Sequence, residues 1–377
     1  MGAADSDVIV RTLIDRGVTI VDPRQTYVAP DVDLGRVCSG ATLHPGTRLR
    51  GARTFIGAGA EVGAEGPATV VDGVLGPKAR IDAGYLEGAV LLDGARVGWG
   101  AHVRPGTLLE EQASTAHCVG LKHTILLSFV TVGSVVNLCD LLMAGGTSRN
   151  DHSEVGSGFI HFNFTPWGVR GDKATASLVG DVVSGVFLRE RRIFLGGAGG
   201  MVGPRQIAYG AVTGAGAVVR RDVTADQLSI QPTRAVSKTL SSGYLDPPTA
   251  RAARNVVYVA QLVALREWYR QVRRPRAAGD RAIVLDAAIA VLDTCIAERI
   301  KRLEAFVIER GSPVPALNTE PTIRAPAALG AGPSVAPTDD HVAWVQGLPD
   351  DAVQAGTRWL SEIVAAVHPD AAPSSGQ

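Results

Sequence analysis

Large rings are scarce in this sequence: only 5% of its 377 residues are Phe, Trp or Tyr. A globular core built on stacked aromatics is therefore not what the chain encodes. It has no excess of either charge, with 37 Lys plus Arg against 37 Asp plus Glu, so no global field draws it to nucleic acid or an anionic membrane. Its four cysteines, Cys38, Cys118, Cys139 and Cys295, are too scattered for CxxC metal spacing or a disulfide ladder and read as reduced core residues. No run reaches the roughly 18 apolar residues of a membrane span, and the N-terminal stretch with Asp5, Asp7, Arg11, Asp15 and Arg16 holds no signal h-region. A soluble, cytoplasmic protein is expected. A nucleotide-gripping glycine loop is also missing, since Leu195-Gly-Gly-Ala-Gly-Gly fits neither GxGxxG nor P-loop spacing.

What the chain has in quantity is glycine, 44 residues, set in a repeat. Aliphatic residues recur about every six positions, as at Val37, Leu43 and Leu49, or Val97, Val103 and Leu109, each followed by turn residues. Six is not a helical period, and a lone alternating strand would repeat every two. Short strands separated by glycine turns and stacked coil on coil satisfy both facts. The expected fold is mainly β: a left-handed parallel β-helix, or hexapeptide solenoid, over residues 17–240, preceded by a lead of 1–16. The beat fails over residues 145–200, where Phe159, Phe162, Phe164 and Trp167 gather with Arg149, Arg170 and Lys173, so an inserted loop region carrying function is expected there.

After Pro247-Pro248 the pattern changes to helical stripes, first Val259, Leu262, Tyr269 and Val272, then Leu285, Ile289, Leu292, Ile296, Ile300, Leu303 and Val307. Pro275 stops the first stripe and Gly279-Asp280 starts the second, which predicts a C-terminal α-helical hairpin over 249–311. Its narrow stripes suit either the end of the solenoid or helices of sister subunits. A Pro/Ala/Gly-rich linker at 313–338, a short helical segment at 339–368 and a disordered tail at 369–377 complete the expected layout.

The segment Arg16-Gly-Val-Thr-Ile-Val-Asp-Pro-Arg-Gln-Thr-Tyr-Val, with the hexapeptides behind it, resembles the bacterial bifunctional family that acetylates glucosamine-1-phosphate and then forms UDP-N-acetylglucosamine. The resemblance covers roughly residues 16–240 and only the acetyltransferase half, a β-helix that in this family works as a homotrimer with the site between subunits. It implies an acetyl-CoA-dependent N-acyltransferase acting on an amino-sugar phosphate or nucleotide-linked amino sugar, with no metal required. The family's phosphate-holding arginine and lysine match Arg104 in His-Val-Arg-Pro-Gly-Thr and Lys122 in Gly-Leu-Lys-His-Thr. A guanidinium fork and an ammonium point charge grip a phosphate in complementary ways. The sugar-contacting asparagine matches Asn163 in Ile-His-Phe-Asn-Phe, and Lys173 falls near a further family lysine. The coil holding Gly214, Ala215 and Gly216 resembles those along which the cofactor lies, with Arg234 near the arginine that contacts a cofactor phosphate.

One departure concerns the catalytic base. Where the family has a histidine before a leucine, this chain reads Val135-Val-Asn-Leu, so Asn137 occupies the base's position and can only bind substrate. His161, two residues from Asn163, is the preferred replacement, with His152 and His123 behind it. Two alternatives stay open. A solenoid that lost its base could bind a sugar phosphate or nucleotide sugar without turning it over. A trimeric zinc enzyme of the γ-carbonic-anhydrase kind would use histidines such as His117 and His123, although these are six apart rather than the five typical there.

Overall fold

Each hexapeptide folds as a short strand and a turn, and three strands on three faces make one coil. The computed structural model describes residues 3–164, 171–231, 235, 237, 248–330 and 340–371. The first face is an 11-stranded parallel sheet running from Thr19–Ile20 to Leu228–Ser229. The second and third faces form one 16-stranded network because two seven-residue strands, Gly120–Leu126 and Asn137–Met143, turn the corner between them. The mainly β, parallel β-helical solenoid expected from the repeat is thus the architecture observed.

The interior is filled by aligned aliphatic rungs, with Leu43, Val62 and Ile81 on the first face, Val70, Leu86 and Val103 on the second and Leu75, Leu91 and Leu109 on the third, all buried. Truncating one such leucine to alanine costs about 2–5 kcal/mol. The N-terminal lead is a helix, Ala3–Asp15, that turns Val10 and Leu13 into this core.

Outward-facing positions separate the three faces. On the first face they are polar, as in Glu61, Arg80, Arg96 and Ser114. On the third they are apolar: Phe55, Val74, Val90, Leu108, Ile125, Leu142 and Leu178 stack in register and are all buried. A strand apolar on both sides must be covered on both. Here the cover is the helical extension, Pro248–Trp268 and Gly279–Ile308 with Asp350–Val367 beside them, sharing one core with the third face. The hairpin lies along the flank of its own solenoid rather than on the solenoid's end.

Further details differ from the sequence expectation. Within 145–200 the described residues form a ribbon of Gly146–Ser148 and Asp151–His152 and, one coil later, a turn of helix at Val182–Gly185, both at the corner between the third and first faces. Coils continue between them through Glu154–Val155, Ser177–Val179 and Phe194–Leu195. The described part of the linker, 313–330, packs on the helices through Ile323, Ala325 and Leu329. The last helical segment is two helices, His341–Gln346 and Asp350–Val367, broken around Pro349. Among the described residues no helix is long and apolar enough to cross a membrane.

Candidate active site

Parallel stacking places residues one coil apart directly above one another. His102 pairs with Gly120, so Arg104 and Lys122, each two residues on, occupy adjacent rungs, and Lys122 pairs in turn with Cys139. Arg104 reaches over both coils, its Nη2 lying 3.4 Å from Cys139 Sγ. Burial pushes the Cys139 thiol upward and the Arg104 cation opposes it, so the thiol stays neutral and acts as a soft acceptor. Gly120 pairs with Asn137, whose Oδ1 lies where a Cβ on Gly120 would meet it at 3.1 Å. Arg104, Lys122 and Asn137 therefore share one patch of the second face, with the Asn137 side chain exposed.

The patch ends at the corner toward the third face, where the chain turns through left-handed residues: His123 at φ +47° and Asp140 at φ +60°, on consecutive coils. Below them Gly106, at φ +79°, leaves room for the imidazole; a Cβ there would stand 2.7 Å from His123 Cδ2. His123 Nδ1 is buried, with no hydrogen-bond partner among the described residues, and lies 3.8 Å from Asp140 Oδ1. Burial lowers its pKa below the ordinary histidine value, with Asp140 opposing, so the ring is neutral at neutral pH. The other Asp140 oxygen, Oδ2, accepts from Asn163 Nδ2 at 3.3 Å, and the Asn163 carbonyl accepts from the Thr175 hydroxyl at 2.8 Å. Just before Ser177–Val179, Asp172 pairs with buried Arg251 and Asn255 Nδ2 donates to the Ala174 carbonyl at 3.0 Å. Five of the residues expected from the sequence thus meet at one corner: Arg104, Lys122, His123, Asn137 and Asn163.

The other expected residues lie elsewhere. His161 sits inside the solenoid, only 2% exposed. Its Nδ1 contacts the Cys139 carbonyl and its Nε2 lies 2.8 Å from Ser177 Oγ, so both ring nitrogens are engaged. Burial lowers its pKa as well. Closeness in sequence to Asn163 makes His161 the expected base, but the strand Ile160–Phe162 turns His161 inward and ends before Asn163, so the two side chains do not share a strand face. His152 belongs to the ribbon at the corner between the third and first faces, where its Nδ1 donates to the Arg149 carbonyl at 2.8 Å. Lys173 is exposed, beside Asp172. Gly214, Ala215 and Gly216 form an open corner between the first and second faces on a later coil, with nothing within 4 Å of a Cβ placed on Gly216. Arg234 and Trp167 lie outside the described residues. Among the described residues no group of three or more His, Cys, Asp or Glu is placed to hold a metal ion.

Sequence reasoning missed Asp140 and Arg299, the latter on the helix Gly279–Ile308 with Nη2 2.8 Å from Asp140 Oδ1. A readable signal existed for the second. Arg299 is an arginine on the buried stripe, three residues after Ile296 and four before Leu303, and it is 3% exposed. A charge in an apolar stripe requires a partner.

These features define a hexapeptide-type β-solenoid with a cationic, amide-bearing patch at one corner. No protein-family model matches the chain. Among curated proteins it is similar to the bifunctional protein GlmU of Fervidobacterium nodosum, 30% identical over 230 residues, which is 61% of this chain and 45% of the relative. It is likewise similar to the bifunctional protein GlmU of Clavibacter sepedonicus, 32% identical over 247 residues, 65% of this chain and 45% of the relative. The chain thus spans less than half the length of these relatives, and the resemblance read from its sequence is the one the comparison finds. A solved structure of a GDP-perosamine N-acetyl transferase variant from Caulobacter crescentus, in complex with CoA and GDP-perosamine, is 16% identical over 60% of this chain and 72% of that one. Its TM-score is 0.11, a likeness too slight to carry weight.

Proposed function

We propose that the chain is an acyl-CoA-dependent N-acyltransferase that acetylates the amine of an amino-sugar phosphate or nucleotide-linked amino sugar. The observation that carries this reading is the convergence of Arg104, Lys122, Asn137, Asn163 and His123 on one corner. Arg104 and Lys122 supply two cations for a phosphate. Asn137 and Asn163 supply directional amide bonds to sugar hydroxyls. His123, neutral, removes the proton at Nε2 as the amine attacks the thioester carbonyl. The new C–N bond forms, the C–S bond breaks, and CoA leaves as the thiol. Exposed backbone at Gly214, Ala215 and Gly216, together with Arg234, is the proposed path of acetyl-CoA. The assembly proposed is a homotrimer in which a neighbouring copy closes the flat second face over the site.

Asn137 also favours a second reading, because an amide cannot take up a proton: a protein that holds the sugar phosphate without transferring an acyl group. One experiment separates the two. Purified protein is incubated with acetyl-CoA and glucosamine-1-phosphate or a panel of other amino sugars, and free thiol is followed. Thiol release that depends on the sugar supports the transferase; sugar-phosphate binding without release across the panel favours the binding protein.

A further inference from the structure

Asp140 is gripped from two sides. Its Oδ2 takes the Asn163 amide of the solenoid, and its Oδ1 pairs at 2.8 Å with Nη2 of Arg299, which comes from the helical extension. The same Oδ1 lies 3.8 Å from His123 Nδ1, too long for a hydrogen bond. Arg299 is 3% exposed, and its Nε and Nη1 are buried without hydrogen-bond partners among the described residues, as is His123 Nδ1. Three orphaned nitrogens around one carboxylate are costly, and a cluster of them calls for an explanation such as a group held ready for function. Lys122 and Asp140 face His123 from the solenoid, and Glu298 and Arg299 face it from the helix.

We propose that Arg299 is a positioning residue: by fixing the Asp140 carboxylate, the helical extension sets how His123 presents Nε2 to the amine of the sugar. This rests on the reading of His123 as the base. As His123 takes the proton at Nε2, its Nδ1–H needs an acceptor, and Asp140 Oδ1 is held within a small ring rotation of it. Arg299 keeps that oxygen in place while competing for it, so the helix tunes the base through the carboxylate rather than by touching substrate. The extension is thereby part of the site and not only a cover for the third face.

The test is the titration of His123, followed by NMR of the full-length protein in wild type, Arg299→Gln and Asp140→Asn. Removing the Arg299 cation and releasing Asp140 should raise the His123 midpoint by about one unit, whereas Asp140→Asn should lower it. The acid limb of the pH–rate profile should move the same way in each variant. In Arg299→Gln, kcat should fall roughly tenfold, a fraction of what a whole general base supplies, with KM for the sugar phosphate little changed. Arg299→Lys should restore part of the loss. An unmoved His123 midpoint in folded Arg299→Gln overturns the proposal. Should that variant fail to fold, an unmoved midpoint in Asp140→Asn overturns it instead. The titration needs no substrate, so absence of acyl transfer in the wild type would remove the transferase reading while leaving the Arg299 coupling decided on its own.

Discussion

Tyr269 donates its phenolic hydrogen to Glu110 Oε1 at 2.7 Å, a bond that crosses the seam between the helical extension and the third face of the solenoid. Arg273, one helical turn further on, bonds the same oxygen at 3.2 Å and also pairs with Glu111, and all four groups are buried. Arg273→Met would leave two buried carboxylates without their cation, and breaking such a pair from one side costs about 3–5 kcal/mol. Melting followed by circular dichroism should therefore show a lower transition for Arg273→Met, with the helical signal lost before the β signal. A single unshifted transition would mean that the seam contributes nothing.

Arg104 and Lys122 contribute charge to an open patch rather than to the core. Replacing either by glutamine should leave the melting temperature within a degree or two of wild type, yet weaken binding of glucosamine-1-phosphate about tenfold or more, the scale of one lost charge-assisted hydrogen bond. Calorimetric titration would read this directly. Equal affinity for the neutral amino sugar and its phosphate in the wild type would show that the two cations do not meet phosphate.

His123 and His161 should separate cleanly. His123→Asn is expected to lower turnover by about 10²- to 10⁴-fold, the usual share of a general base, with sugar-phosphate affinity kept. His161→Gln removes hydrogen bonds inside the core and should cost about 1–3 kcal/mol of stability without moving the acid limb of the pH–rate profile. That limb should lie below the ordinary histidine range, because burial lowers the His123 pKa and the neutral ring is the active form. A limb that shifts in His161→Gln and stays in His123→Asn would reverse the assignment.

Gly106→Ala is a steric probe of the same corner. It would add a Cβ 2.7 Å from the His123 ring at a φ of +79°, so it displaces the imidazole without removing it. Turnover should fall further than the melting temperature would explain, and unchanged kcat would show that the position of His123 is immaterial.

Docking of the C-terminal helices should depend on pH. His341 is half-buried; desolvation, followed by the Arg273 and Arg276 cations, lowers its pKa from 6.5 to about 3, with Glu111 opposing. The folded protein thus binds fewer protons than the unfolded chain in this window. Its contribution to stability is fully present above about pH 6.5 and is lost as pH falls toward 3. Trp268 and Trp344 flank the ring, with centroids 6.3 and 5.7 Å away, so tryptophan fluorescence in acid titrations reports the change. His341→Phe should flatten the dependence, and a slope that persists in that variant would assign it to other groups.

Much of this was legible in the amino-acid sequence because a six-residue beat translates directly into rungs. Once Arg104 and Lys122 are placed on neighbouring coils, register does the rest. The direction of a side chain at an irregular coil was less legible: His161 and Phe162 are adjacent, one turned in and one out, and the beat stops just where that choice is made. Where the hairpin docks could have been read from the third face, whose strands such as Val90–Leu91 and Leu108–Leu109 are apolar at both positions while the first face alternates. The pairing of Arg299 with Asp140 spans more than half the solenoid's sequence length, and only its odd position on an apolar stripe hinted that a partner existed.

The outward apolar column of the third face, from Phe55 to Leu142, precedes its helical cover in the chain. A ribosome therefore extrudes most of the coils before it makes the residues that shield them. Throughout that interval the nascent chain carries a long, flat, greasy ladder, the kind of surface that recruits chaperones or a second nascent copy. The order of synthesis makes the last helices the step that renders the earlier coils safe in a crowded cell.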